Sequence, residues 1–266
     1  MKDLTKGKPS TLILAFALPI FFANLLQLTY SLVDTRIVGT FLGEDALAAV
    51  GATTTLSNLI VGFLQGLSGG FAIIIAQKFG AKDYKNVKKS FAMSLTMGTG
   101  IAIFFTVFGL LFLQPILNIL NVPSDLMATA KSYIFVIIAG LVATFLYDAC
   151  AAALRSLGDT VTPLVILAIS VVLNIVGDLL FVVVLKSGVR GAAIATVLAQ
   201  AIAFVVCWIY MVKRYELLRL SREDFKDPNP VMVKNMLGAG MSMAVSALLN
   251  RTILKGEEST FVLELP

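Results

Sequence analysis

Long apolar runs separated by short polar stretches dominate this chain. Most of the runs reach or exceed the ~20 residues that a helix needs to cross the hydrocarbon core of a bilayer. The pattern therefore predicts membrane-spanning helices joined by short loops. The first six predicted spans are residues 12–38, 46–77, 90–115, 127–153, 161–185 and 190–212. A seventh span is predicted to begin near Val231 and to end near Leu249.

Prolines and glycines mark the irregularities that we expect in these spans. Pro19 lies inside the first span, where it removes a backbone hydrogen bond, so we expect a kink or hinge there. The second span is unusually long, and Gly62, Gly66, Gly69 and Gly70 could allow it to tilt or bend. Glycines four residues apart also let helices approach closely. We interpret this ladder as packing inside the bundle rather than as a dimerisation face.

These elements predict an all-α fold, namely a polytopic membrane helix bundle with six transmembrane helices plus the start of a seventh. The chain divides into an N-terminal six-helix lobe (1–212), a cytoplasmic linker (213–230), the start of the seventh helix (231–250) and an atypical polar tail (251–266). We interpret the charged linker as a solvated segment, with contact to anionic lipid headgroups as the alternative.

Composition narrows the class of protein. Of 266 residues, 58% are hydrophobic and 14% are charged, whereas soluble domains have ~45–50% apolar and ~25% charged residues. The absence of histidine excludes histidine-based catalytic triads, metal sites and proton relays. No nucleotide-binding motif is visible either. We therefore expect neither an enzyme nor a cofactor, and we interpret Cys150 and Cys207 as small core residues.

The net charge of +5 is distributed unevenly between the loops. The first set of loops carries Lys2, Lys6, Lys8, Lys78, Lys82, Lys85, Lys88, Lys89, Arg155, Lys213, Arg214, Arg219, Arg222, Lys226 and Lys234. The other set carries Arg36, Lys131, Lys186 and Arg190. By the positive-inside rule the first set faces the cytoplasm. We expect a multi-pass protein of the plasma membrane with a cytoplasmic N-terminus, with membrane lipid rather than nucleic acid as its surroundings.

Three of the sixteen acidic residues fall inside predicted spans: Asp34, Asp148 and Asp178. A carboxylate at the bilayer centre costs ~2.5–3.5 kcal/mol on insertion scales. Such a residue needs a partner, a water-filled cavity or a proton, and its default interpretation is a functional site that faces the bundle interior.

Asp34 and Asp178 each have a polar neighbour one helical turn before them. Tyr30 lies on the same face as Asp34, where its phenol can donate a hydrogen bond to the carboxylate. Arg36 is two residues from Asp34 and points to a different face. Asn174 precedes Asp178 by four residues, which makes an oxygen-rich cation site that suits sodium. The alternatives are a snorkelling acid for Asp34 and interhelical polar contact for Asp178.

Asp148 and Thr196 are weaker candidates. Asp148 is predicted to lie near the cytoplasmic end of the fourth span, either buried or extended towards Arg155. Thr196 is a single hydroxyl in the sixth span, and such a hydroxyl often bonds back to an earlier carbonyl of its own helix. Acids that bind and release a proton or sodium in a water-accessible cavity suit ion-coupled transport.

Several short motifs lie along the apolar segments: Ala17-Leu18-Pro19, the stretches YSLVDTRIVG (30–39) and ALAAVG (46–51), LRSLGDTVTP (154–163), NIVGDLLF (174–181) and GVRGAAIATVLAQ (188–200). Together they resemble the MATE (multidrug and toxic compound extrusion) transporters. The similarity covers residues 10–250 in one register. It implies an antiporter of twelve spans in two six-span lobes, which exports cationic or amphipathic compounds against the entry of protons or sodium.

The resemblance also implies the site residues. It places an ion-coupling and substrate cavity at Tyr30, Asp34, Asp148, Asn174, Asp178 and Thr196. A candidate sodium site comprises Asp34, Asn174, Asp178 and Thr196, and Pro19 is the implied hinge. Members of the family usually have asparagine where this chain has Asp148. The extra carboxyl changes the charge of the cavity or the coupling stoichiometry.

Family members are about twice as long as this chain. We therefore expect an N-terminal fragment whose partner is a missing C-terminal lobe. One alternative is a half-size subunit that acts as a homodimer, and the other is a non-transport role as a membrane scaffold or a lipid-carrier flippase.

Overall fold

The computed structural model describes residues 9–226 and 229–263, with side chains from residue 13 to 226 and from 229 to 250. The fold in these ranges is helical, without strands. Nine α-helices follow one another in the described residues: α1 Pro9–Leu42, α2 Glu44–Gly80, α3 Tyr84–Leu111, α4 Leu113–Ile119, α5 Met127–Ala139, α6 Leu141–Ser156, α7 Val161–Asp178, α8 Gly188–Arg214 and α9 Pro230–Leu263. Shorter elements are a π-helical segment, Leu179–Val184, and two 3-10 turns, Glu216–Leu218 and Arg222–Phe225.

Seven spans are consistent with the helices of the described residues. Six single helices are long and apolar enough to cross a membrane, and α5 with α6 forms a seventh crossing if the bent pair counts as one span. This confirms the predicted fold class. The last apolar stretch is Pro230–Asn250, but the helix continues to Leu263, past the predicted boundary at 250. The basic residues Lys2, Lys6 and Lys8 lie outside the described residues.

The main bend is in the fourth span rather than in the second. Helix α2 is continuous across its glycines, whereas α5 and α6 meet at Gly140 with an angle of 44°. A Cβ atom at Gly140 would lie 2.7 Å from Cγ1 of Val197 on α8, so only glycine allows this approach. The third span also lies earlier in the chain than predicted, because its helix runs from Tyr84 to Leu111 and α4 begins at Leu113.

Glycines of α2 serve close packing against α9. A Cβ atom at Gly66 would lie 2.6 Å from the Ala244 Cα atom, and one at Gly70 would lie 2.5 Å from the Gly240 Cα atom. The backbones of the two helices therefore nearly touch. This confirms the interpretation of the ladder as helix packing within the bundle.

The core lies between α2, α3, α5, α6 and α8. Its largest fully buried side chains are Phe71, Phe91 and Phe145. Cys150 and Cys207 are free and fully buried, which confirms them as small core residues. Helix α1 lies outside this core, because its most apolar stretch contains no buried residue.

The linker after α8 is exposed for the most part but is anchored. Leu218 is fully buried. The Tyr215 hydroxyl donates a hydrogen bond of 2.7 Å to Oδ2 of Asp159, in the α6–α7 loop. Burial and this hydrogen bond raise the pKa of Tyr215 above its usual value. Residues 227 and 228 lie outside the described ranges.

Candidate functional site

Asp34 and Asp178 meet where α1 packs against α7. Asp178, the last residue of α7, is fully buried, and Asp34 on α1 is half-buried. Their carboxyl groups are within hydrogen-bonding contact of each other. Residues far apart in the chain therefore form one acid pair, which single-helix spacing does not predict.

Asn174 joins this pair to α8. With its amide oriented to satisfy both neighbours, Nδ2 donates to Oδ2 of Asp178 at 3.0 Å and Oδ1 accepts from Oγ1 of Thr196 at 3.2 Å. The expected Asn174–Asp178 neighbourhood on one helix face is thus present. The amide connects the acid pair to a hydroxyl on the neighbouring helix.

Thr196 is the meeting point of three helices. Its Oγ1 lies 3.1 Å from the Tyr30 hydroxyl and 3.1 Å from the Ala192 carbonyl. Because the hydroxyl carries one proton, it donates either to this carbonyl of its own helix or to Asn174. The prediction of a hydrogen bond from Tyr30 to Asp34 is wrong. The long phenol side chain passes the neighbouring turn and ends at α8 instead.

The backbone near Asp178 explains how α7 and α8 come this close. A Cβ atom at Gly177 would lie 2.9 Å from the Ala195 Cβ atom, so glycine is required for the observed spacing. The chain then changes from α-helix to the π-helical segment Leu179–Val184 directly after Asp178. Such π segments often occur at functional sites.

Tyr133 on α5 belongs to the same surroundings, although it was not among the predicted site residues. It interacts electrostatically with Asp34, Tyr30 and Asp178. It also packs against a small buried cluster that includes Ile37 and Val189. A polar aromatic residue in the apolar run of α5 was the available signal. Only the tertiary contacts distinguish it from other core tyrosines.

Arg36 does not neutralise the acid pair. It is exposed, and among the described residues the one salt bridge joins Lys78 to Asp83 at 3.8 Å. The expectation that Arg36 points away from Asp34 is confirmed.

Two touching carboxyl groups restrict what the site can hold. Two carboxyl groups in contact cannot both be ionised unless a cation lies between them. Without a cation, one of the two holds a proton. Oδ1 of Asp34 and Oδ1 of Asp178 are buried and accept no hydrogen bond from the described residues, so each can face such an ion. The donors are carboxylate, amide and hydroxyl oxygens, which suit a hard cation. The described residues contain no group of three His, Cys, Asp or Glu side chains placed to bind a metal.

Asp148 lies apart from the other five candidates. Asp148 on α6 lines a cavity of about 460 Å³ that also contains Arg155, Gln27 and Pro19, and its lining includes none of Tyr30, Asp34, Asn174, Asp178 and Thr196. The single cavity expected from the sequence is therefore two sites. The reason is that Asp148 lies towards the α6–α7 loop, whereas Asp178 ends α7 at the opposite end of the bundle.

Pro19 is on the wall of this second cavity. Helix α1 continues through Pro19 from Pro9 to Leu42. The 15 residues between Pro19 and Asp34 correspond to about 22 Å of helix. A hinge role for Pro19 would therefore act on the acid pair through the length of the helix rather than by contact.

Comparison with known proteins agrees with this architecture. The MatE family model matches residues 19–180. The chain is 31% identical over 245 residues to the probable multidrug resistance protein YpnP of Bacillus subtilis (strain 168), over 91% of this chain and 55% of that protein. It is 27% identical to the probable multidrug resistance protein NorM of Thermotoga maritima, over 88% of this chain and 50% of that protein.

A solved structure shows the same arrangement. It is the outward-facing conformation of a multidrug resistance MATE family transporter of the MOP superfamily, with a TM-score of 0.86 and 26% identity. The similarity covers 92% of this chain and 54% of that chain. The chain spans about half the length of the curated relatives that it matches.

Proposed function

Because this chain belongs to the MatE family of multidrug transporters, we propose that it forms one lobe of an ion-coupled antiporter that exports cationic or amphipathic compounds. The observation that carries the proposal is the contact between Asp34 and Asp178 inside a membrane-spanning bundle. Buried acids of this kind are expensive in a membrane and mark ion pathways.

The acid pair provides the coupling step. When a proton or a sodium ion lies between the carboxyl groups, their mutual repulsion is removed and α1 can pack on α7 as observed. When the ion leaves, two carboxylates repel each other and need water or a cationic compound. An ion that binds one arrangement of α1 and α7 more tightly shifts the population towards it.

Sodium and the proton are both compatible with the donor set. Asp34, Asp178 and the oxygens of Asn174 and Thr196 would hold sodium, whereas a proton needs only the two carboxyl groups. No other cofactor enters the proposal. The relatives are named multidrug resistance or export proteins, which supports transport rather than catalysis.

Efflux of a fluorescent cationic dye tests the proposal. Vesicles are prepared from cells that express the complete coding sequence containing this chain, and proton and sodium gradients are imposed separately. Asp34→Asn and Asp178→Asn should each remove gradient-dependent efflux by more than tenfold, because an amide cannot bind and release a proton. Asp125→Asn, in an exposed loop, is the matched control and should leave efflux unchanged.

An unchanged ion dependence in both variants would contradict the proposal. Absence of dye efflux from the unsubstituted protein would favour a non-transport role, such as a membrane scaffold, or a lipid-carrier flippase. If the unsubstituted protein exports the dye under only one of the two gradients, the ion of that gradient is the coupling ion.

Helix α1 supports the need for a second lobe. Asn24 and Gln27 are exposed on it and line the cavity beside Asp148, and polar side chains are costly where such a cavity opens to lipid. A second set of helices, from a C-terminal lobe or from a second copy of this chain, would cover them. Cysteine crosslinking from Gln27→Cys in native membranes separates the two, because only a homodimer joins two identical chains. The proposed membrane is the plasma membrane, with the N-terminus in the cytoplasm.

A further inference from the structure

The end of α8 that leads into the linker carries basic and apolar side chains next to each other. The structure places Lys213 and Arg214 in the last turn of α8, whereas the sequence suggested that they begin the linker. Together with Val206, Ile209 and Tyr210 they line a surface groove with a volume of about 480 Å³. All five side chains are exposed. The groove is therefore open to whatever surrounds the bundle.

The five side chains are ordered along the helix from apolar to charged. They are three or four residues apart in steps, so they project from one face of α8. The Cα atoms of Val206 and Arg214 are about 12 Å apart along the helix axis. In a bilayer the apolar end of such a face lies in the hydrocarbon, while the tyrosine and the basic residues lie at the level of the headgroups.

The aromatic wall in the middle of the groove is fixed by its neighbours. The Thr162 hydroxyl, at the start of α7, donates a hydrogen bond of 3.3 Å to the Tyr210 hydroxyl. The Tyr210 ring also packs against the ring of Tyr215, with 6.3 Å between their centroids. Because the Tyr210 hydroxyl accepts this bond, its own proton can be donated to a molecule in the groove.

The positive charge at this end of α8 is not neutralised. Neither Lys213 nor Arg214 forms a salt bridge with any described residue. Arg219 in the linker adds a third positive charge, since it donates a hydrogen bond of 3.5 Å to a backbone carbonyl of α8. Glu216 is the one acid between residues 213 and 219. The net positive charge outweighs the partial negative charge, about half a unit, at the end of a helix.

We propose that this groove binds an acidic phospholipid, with the lipid phosphate at Lys213 and Arg214 and an acyl chain along Val206 and Ile209. Arginine can bind a phosphate through two hydrogen bonds and lysine adds a point charge. The Tyr210 hydroxyl donates to an oxygen of the headgroup. A zwitterionic phospholipid binds less tightly, because its ammonium group is repelled by the same basic side chains. The site is separate from the proposed ion site and does not depend on it.

Basic residues near a membrane surface also attract acidic lipids without a site. The test therefore compares two pairs of substitutions that remove the same charge from the same end of the bundle. One pair is Lys213→Gln with Arg214→Gln in the groove. The other is Arg222→Gln with Lys226→Gln, at exposed linker positions that do not line the groove.

Native mass spectrometry of the purified 266-residue chain measures the binding. The protein in detergent is titrated with dioleoyl phosphatidylglycerol or with dioleoyl phosphatidylcholine, which share their acyl chains. The unsubstituted protein should bind phosphatidylglycerol about tenfold more tightly. The groove pair should weaken phosphatidylglycerol by about tenfold, because each basic residue near anionic lipid contributes several-fold. It should leave phosphatidylcholine within a factor of two, and the linker pair should change neither lipid by more than that factor.

Two further measurements separate the lipid site from misfolding and from a site for soluble anions. Lys213→Arg with Arg214→Lys keeps both charges and should retain the affinity within about threefold. Thermal unfolding without added lipid shows whether each variant is folded. Glycerol 3-phosphate, which has the phosphate but no acyl chains, should not displace phosphatidylglycerol at equal concentration.

Three results would overturn the inference. The first is equal affinity of the unsubstituted protein for the two lipids. The second is equal weakening of phosphatidylglycerol by the groove pair and the linker pair, which would mean that total charge alone attracts the lipid. The third is displacement by glycerol 3-phosphate, which would indicate a site for a soluble phosphate. None of these results bears on ion coupling by Asp34 and Asp178, which the efflux measurements test separately.

Discussion

The Thr196 hydroxyl shows how one side chain can connect the candidate ion site to its surroundings. It meets the Tyr30 hydroxyl at 3.1 Å and the Asn174 amide at 3.2 Å. Because Asn174 also contacts Asp178, the hydroxyl holds α1 and α7 in a common arrangement. A substitution at Thr196 should therefore change the arrangement of Asp34 and Asp178 without altering their charge.

We expect Thr196→Val to lower the free energy of unfolding by about 1–3 kcal/mol, because partly buried polar partners lose their hydrogen bond. Thr196→Ser keeps the hydroxyl and should lower the free energy of unfolding clearly less. Thermal unfolding in detergent measures both. Thr29→Val is the control, since Thr29 is exposed and its hydroxyl donates to the Leu25 carbonyl of its own helix. Equal losses of stability in the Thr196 and Thr29 variants would show that the Thr196 hydroxyl does not link α1 to α7.

At the scale of helices, the close contact of α2 with α9 depends on two glycines. Side chains at Gly66 and Gly70 would collide with the backbone of α9. Gly69, on the same helix, has open space around it. The position of α9 on the lobe is therefore set by the absence of side chains on one face of α2.

This contrast gives a matched pair of substitutions. Gly66→Val should destabilise the protein by roughly 1–3 kcal/mol or more, because overpacking forces the helices apart. Gly69→Val changes the same helix by the same residue and should cost much less. Unfolding temperatures in detergent decide the comparison. Similar losses would show that the two helices can separate freely.

The linker after α8 is fixed to the α6–α7 loop by a single side chain. Asp159 receives the Tyr215 hydroxyl and also accepts a hydrogen bond of 3.0 Å from the Thr162 backbone amide at the start of α7. One carboxylate therefore caps α7 and holds the linker. The order of the linker follows from this bond together with buried Leu218.

Removal of the phenol oxygen should loosen the linker. We expect Tyr215→Phe to destabilise the protein by about 1 kcal/mol and to increase cleavage in the 216–226 segment. Limited proteolysis measures the cleavage rate. Tyr84→Phe, at an exposed tyrosine outside the linker, should not change it. A linker equally resistant in both variants would contradict the anchoring role of Tyr215.

At the scale of the whole molecule, the two sets of loops predict a single orientation in the membrane. Both native cysteines are fully buried, so a membrane-impermeant maleimide should give little background. Ser124→Cys in the α4–α5 loop should react from outside intact cells. Ser221→Cys in the linker should react only after the membrane is opened. The reverse pattern would place the N-terminus outside.

The sequence determined which segments are helical and which side chains deserve attention. Apolar runs of span length have few alternatives to a helix, because the backbone must satisfy its own hydrogen bonds in lipid. Asp34, Asn174 and Asp178 stood out because ionisable and amide groups are expensive in those runs. The motifs around them were sufficient to suggest the family.

Only the tertiary structure decided which of these groups act together. Helical periodicity relates residues within one span, so it paired Tyr30 with Asp34, whereas the phenol reaches Thr196 on α8. Contacts between spans depend on where small residues such as Gly140 and Gly177 let helices approach. For the same reason the structure added Tyr133 to the acid pair and moved Asp148 into a cavity of its own. Distances between helices are set by packing, which no single stretch of sequence encodes.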